Sequence, residues 1–221
     1  MRSSRSGVVA WMLTQLVGLA LVSPASWAVF DEQKKGAEQV DAPAATPEAQ
    51  AALDAGLAAV REAEEANGGA AGVKKLSPAA KAAYTKARTK FDEATKADPK
   101  LAQAWNGLGY SNRKLGDYKT ALAAYDKAIE LRSAYPEATE YRGEAYLALN
   151  RTEDAKQAYL DLFAVNRELA GKLLESMKTW IATPGKKKDD VGDLDEFVQE
   201  RAKIASQTAA LTRESATQGW H

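Results

Sequence analysis

AQAWNGLGYSNRKLGDYKTALAAYDKAIEL, residues 102–131, is the stretch that decides the fold. Shifted by 34 residues, it lies over PEATEYRGEAYLALNRTEDAKQAYLDLFAV, residues 136–165. Gly109 then meets Gly143, Leu115 meets Leu149, Ala121 meets Ala155 and Tyr125 meets Tyr159. Upstream, Ala87, Phe91, Ala94 and Pro99 occupy the phases of a second helix and its exit turn, which is half of a third copy. A period of this length belongs to stacked helix pairs. The expected fold class is therefore all-α: a short solenoid of about two and a half repeats, with extra capping helices at both ends. Stacked pairs offer a surface to a partner rather than a reaction centre.

Each full copy reads as helix, tight turn, helix. The predicted helices are 102–115 with 117–131, and 136–149 with 152–165. Gly116-Asp117 and Asn150-Arg151 supply the turns, with residues that tolerate left-handed backbone angles. Small residues at 109, 121, 143 and 155 let helices approach closely, and Trp105, Tyr125 and Tyr159 fill the space between them. On the N-terminal side, Thr46-Pro47 and Ser77-Pro78 are both a capping hydroxyl followed by proline at the first helical position. They predict helices over 46–66 and 78–97, the second ended by Asp98-Pro99. On the C-terminal side, Leu169, Leu173, Met177 and Trp180 form a buried stripe on a helix reaching 181. Thr183-Pro184-Gly185 and the charges that follow predict a loop over 183–192. A last helix is expected over 193–211, then a loose tail to His221. The helical repeat domain is thus 46–182, with a half repeat at 78–101 and full repeats at 102–135 and 136–169.

The N-terminus has a different character. Arg2 and Arg5 precede an apolar run from Gly7 to Val22, followed by Ser23-Pro24-Ala25-Ser26-Trp27-Ala28. That is the layout of a secretory signal peptide, 1–28, cut after Ala28. The run of about 16 residues is short of the roughly 20 that span a bilayer, which argues against a retained anchor. Residues 29–45 are polar and read as a flexible tether. The expected location is periplasmic or secreted, with no stable membrane span after cleavage.

Composition excludes more than it assigns. The 221 residues carry 30 Lys+Arg and 30 Asp+Glu, so no global charge points to nucleic acid. Removing residues 1–28 takes away Arg2 and Arg5 and leaves a net charge of −2. With no cysteine there is no disulfide, thiolate nucleophile or Cys-ligated metal, and the one histidine is the terminal His221. Asp189-Asp190 and Asp193-x-Asp195 lack the completion of a calcium loop, and Gly68-Gly69-Ala-Ala-Gly72 lacks the Lys-Ser/Thr of a phosphate loop. The reading is non-catalytic, with no metal and no cofactor.

Trp105-x2-Leu108-Gly109 followed by Ala121-x3-Tyr125-x2-Ala128 resembles the tetratricopeptide repeat signature. Counted from Ala102, these residues fall on repeat positions 4, 7, 8, 20, 24 and 27. The second copy keeps Gly143, Tyr146, Ala155 and Tyr159, but has Thr139, Arg142 and Leu162 where Trp, Leu and Ala are usual. The resemblance implies an extended peptide bound in a concave groove, with positions 2, 5, 9 and 12 of each first helix pointing into it. Here these are Gln103, Asn106, Tyr110 and Arg113, then Glu137, Glu140, Glu144 and Leu147. The second set suggests an acidic half and a partner with a basic stretch. The family's clamp for a peptide carboxylate, Lys at position 5 and Asn at position 9, is absent, since Asn106, Tyr110, Glu140 and Glu144 stand there.

Two functional readings follow. One is an exported scaffold that docks a protein partner or supports a cell-envelope complex. The other is an accessory subunit or small-molecule binder whose C-terminal helix closes a pocket. An open polar concave face favours the first; an enclosed apolar cavity beside Tyr110 and Trp180 favours the second. Self-association through incomplete terminal repeats is a third reading.

Overall fold

The computed structural model describes residues 45–68, 75–185 and 188–217. Among these there are eight helices and no strand: α1 Pro47–Ala66, α2 Pro78–Ala97, α3 Ala102–Lys114, α4 Tyr118–Leu131, α5 Pro136–Ala148, α6 Thr152–Val165, α7 Arg167–Ile181 and α8 Lys188–Thr217. The expected signal segment and nearly all of the tether lie outside the described residues. No helix among the described residues is long and apolar enough to cross a membrane.

Local chemistry sets the helix ends. The Thr46 hydroxyl accepts from the Ala49 N–H at 3.2 Å and the Ser77 hydroxyl from the Ala80 N–H at 3.1 Å, each with proline beginning the helix. Asp117 Oδ1 accepts from the Thr120 N–H at the start of α4, and Asn166 Oδ1 accepts from the Leu169 N–H at the start of α7. These bonds satisfy N–H groups that have no partner inside the helix. Gly116 and Asn150 adopt φ of 86° and 57°, the left-handed backbone that the two inter-helix turns require.

The helices stack in chain order. Each packs on the next, and α1 meets α3, α3 meets α5 and α5 meets α7, so the odd-numbered helices line one face. The end helices continue this arrangement. α1 packs most extensively on α2 and touches α3, standing where the half repeat lacks its own first helix. The interior is rich in tyrosine. Tyr84, Tyr110, Tyr125, Tyr135 and Tyr141 share one cluster with Phe91 and Val60, while Leu162, Leu173, Met177, Trp180 and Leu194 build a second. Trp105 is half-buried, and its indole N–H donates to the Pro99 carbonyl at 2.9 Å.

Glycines set the closest approaches. A Cβ on Gly109 would lie 2.6 Å from the Tyr125 ring, and one on Gly143 would lie 2.5 Å from Leu173. This is the close approach expected of those positions. Gly56 and Gly107, which no repeat pattern marks, both press on the Phe91 ring.

The C-terminal end differs from expectation. The loop expected over 183–192 is shorter, because α8 begins at Lys188, and the helix runs to Thr217 rather than to 211. Residues 189 and 190 fall within its first turn. A charge run that reads as a solvated loop thus serves as a helix start.

Candidate functional site

The odd-numbered helices position the eight groove candidates, but the structure separates them. Asn106 and Tyr110 are 0 % exposed, Leu147 is 3 % and Glu140 is 6 %. Gln103 and Glu137 are half-buried. The middle of the concave face is therefore filled rather than open. Neither atom of the Asn106 amide has a hydrogen-bond partner.

Among the described residues, a cleft of about 570 Å³ lies open at the C-terminal ends of the odd-numbered helices. α1 contributes Asn67, α3 contributes Arg113 and Lys114, and α5 contributes Glu144 and Leu147. α7 contributes Glu175, Ser176, Thr179 and Trp180, and Leu76 and Tyr118 complete the apolar part. Of the eight candidates, only Arg113, Glu144 and Leu147 face this space.

The floor of the cleft is a network of charges and phenols. Glu64 of α1, 2 % exposed, accepts from the Tyr84 hydroxyl at 2.8 Å and from the Tyr110 hydroxyl. Lys114 Nζ stands 3.7 Å from the same oxygen. The Arg113 guanidinium lies 5.2 Å from the Tyr110 ring centre and 5.0 Å from that of Tyr141, and it pairs with Glu144. Ser176 of α7 donates to the other Glu144 oxygen at 2.8 Å. Glu144 thereby ties α3 to α7, and Glu64 ties α1 to α2 and α3.

These surroundings shift protonation. Burial, then the neighbouring Glu64, raises the Tyr84 hydroxyl; burial, then Tyr84 and Glu64, raises that of Tyr110. Burial opposes the charge on Arg113, but Glu144 and the surrounding phenols hold it well above its ordinary value. Lys114 is lowered, first by burial and then by Arg113. Glu140 is pushed up to about 8, by burial and then by Glu144, with Arg113, Lys172 and Lys114 opposing.

Glu140 gives a pH prediction. In the folded chain it keeps its proton to about pH 8, whereas the unfolded carboxyl releases it from about 4.5. The folded state then binds more protons between those values, so stability falls as pH rises through that window. The loss is on the order of 2–4 kcal/mol at pH 8. Glu140→Gln is expected to raise the melting temperature by roughly 4–16 °C at pH 8 and by little at pH 4.5. Equal gains at the two pH values would overturn this account.

Sequence reasoning missed Glu64, Lys114 and the α7 hydroxyls. One signal was legible: Glu64 lies four residues after Val60 on an apolar stripe, and a carboxylate on such a face calls for a buried partner. Nothing in the sequence marked Lys114, which follows directly after a groove position.

A tetratricopeptide repeat family model matches residues 79–136 and 113–168. No curated protein matches. Among solved structures, an Arabidopsis OM64 TPR domain is similar at 15 % identity, over 58 % of this chain and 98 % of that one, with a TM-score of 0.44. The first TPR of Spaghetti (RPAP3), bound to the HSP90 peptide SRMEEVD, is similar at 17 % identity, over 68 % and 95 %, with a TM-score of 0.39.

Proposed function

We propose, for a chain whose residues 79–168 are tetratricopeptide repeats, that it serves as an exported, non-catalytic scaffold. Repeats of this type suggest protein–protein interaction. The observation that carries the reading for this chain is the cleft beside Trp180, open to solvent and lined by charged, hydroxyl and apolar side chains together. Such a mixed wall suits a peptide segment, which offers both main-chain polar groups and apolar side chains. Its walls are held by ion pairs and hydrogen bonds that span α1, α2, α3, α5 and α7, so the surface is preorganised.

Export and a role in a cell-envelope complex rest on residues 1–28, with their basic start, apolar run and small-residue end. A basic partner segment has less support than the acidic helix face suggested. Glu140 is withdrawn into the interior and Glu144 is paired with Arg113. The small-molecule reading also has less support, because the cleft is open, Tyr110 lies beneath its floor and no described residue of α8 belongs to its wall. Self-association would draw on Val165 of α6, 70 % exposed.

Affinity purification of the exported protein with mass spectrometry tests the scaffold reading. Thr179→Arg, which fills the cleft from an exposed helix position, is expected to reduce partner recovery roughly tenfold or more. Recovery of the same partners at the same level would remove the cleft from the function. The same spectra read the N-terminus, which begins at Val29 if the signal is cut and at Met1 if it is kept.

A further inference from the structure

From the uneven charge compensation on the cleft floor, we propose that Lys114 anchors an acidic side chain, Asp or Glu, of the partner segment. This rests on the reading of the cleft as a peptide site. It differs from the clamp ruled out above, because Lys114 stands one residue beyond the last groove position of its helix.

Glu144 is engaged at both oxygens, by Arg113 and by Ser176. Arg113 is held by Glu144, and its Nε reaches the Tyr125 hydroxyl at 3.4 Å. Glu175 pairs with Lys178 at 2.6 Å. Lys114 is different. Its ammonium lies over the Tyr84 and Tyr110 rings, at 6.0 and 5.2 Å, with only 23 % of its side chain exposed. Among the described residues its nearest carboxylate is that of Glu64, which accepts from two phenols at Oε1 and stays 3.7 Å away, beyond hydrogen-bond reach, with Glu144 acting on the ammonium from farther off. The ammonium therefore faces the cleft with three donors and, among the described residues, no acceptor within hydrogen-bond distance, beside a second cation.

A carboxylate in the cleft would supply that acceptor. Asn67 is placed to help: its Oδ1 accepts from the Ser77 N–H at 3.2 Å, which leaves the amide N–H₂ as its donor end. A monoanion fits better than a phosphate, because Glu144 and Glu175 on the same walls repel a second negative charge. An apolar neighbour in the peptide would lie against Leu147 and Trp180.

The test is selection of random octapeptides, amidated at the C-terminus, on the purified full chain. Selected peptides are expected to share an Asp or Glu at one fixed place. Replacing it by Asn or Gln should weaken binding to the wild-type chain roughly tenfold. Lys114→Met should give a similar loss and Lys114→Arg a smaller one, with folding checked by circular dichroism. Peptides that bind without a shared acid, or that tolerate the Gln replacement, overturn the anchor while leaving the peptide site standing. Selection of basic peptides does the same. If no peptide is selected, the scaffold reading fails with it. The Gln replacement uses the unaltered protein, so the test holds even where Lys114→Met does not fold.

Discussion

Gly107→Leu is expected to lower the stability of the array by about 3 kcal/mol or more, the upper range for overfilling a packed core. A Cβ at residue 107 would lie 2.5 Å from the Phe91 ring, with two further ring atoms at 2.6 and 2.7 Å. Phe91 cannot retreat, because a Cβ at Gly56, from α1, would lie 2.6 Å from the same ring. The ring is 0 % exposed and is held between two glycines of different helices. Helix propensity would favour the substitution by up to about 1 kcal/mol, so a loss isolates the packing term. Gly171→Ala on α7 is the control: nothing lies within 4 Å of its added Cβ, and a small gain is expected. Urea unfolding followed by circular dichroism measures both. An unchanged midpoint for Gly107→Leu would show that the Phe91 contact is not limiting. Adding Phe91→Leu to the variant should restore part of the loss.

Removing the Glu64 carboxylate is expected to be as damaging. Glu64→Ala removes the carboxylate that accepts from two buried phenols, Tyr84 at 1 % and Tyr110 at 0 % exposure, and the one carboxylate among the described residues within 4 Å of the Lys114 ammonium. Breaking a buried charged network from one side costs about 3–5 kcal/mol. The loss should concentrate at α1, whose C-terminal end this residue fixes to α2 and α3. Hydrogen exchange should then show α1 amides losing protection before those of α5 and α6. Glu64→Gln, which keeps an acceptor oxygen, is expected to lose clearly less. Equal losses for Ala and Gln would mean that charge, not hydrogen bonding, holds α1 in place.

These two sites show how far the sequence could be read. Gly109 and Gly143 were legible because they recur at the repeat spacing, and each does press on a neighbouring helix. Gly56 and Gly107 follow no repeat, so only the packing against Phe91 reveals them. The candidate site was legible in part. The repeat register pointed to Arg113, Glu144 and Leu147, which line the cleft. It also pointed to Asn106, Tyr110 and Glu140, which the structure buries. Register says which way a side chain leaves its helix, but not whether the neighbouring helices leave room for it.

By itself, the sequence determined the local elements: the capped helix starts at Thr46 and Ser77, the left-handed turns at Gly116 and Asn150, and the repeating helix pairs between. Each depends on residues a few positions apart, so the chemistry is complete in the text. The tertiary structure decided how wide the concave face opens and which charges remain available on it. The Tyr110–Glu64 hydrogen bond joins residues 46 positions apart. The Glu144–Ser176 bond joins residues 32 apart. Such contacts depend on how the helices curve around one another, and curvature is the sum of every packing contact along the stack. That is why the helix pairs could be read from residues 102–165, while the filled groove and the cleft at its end could not.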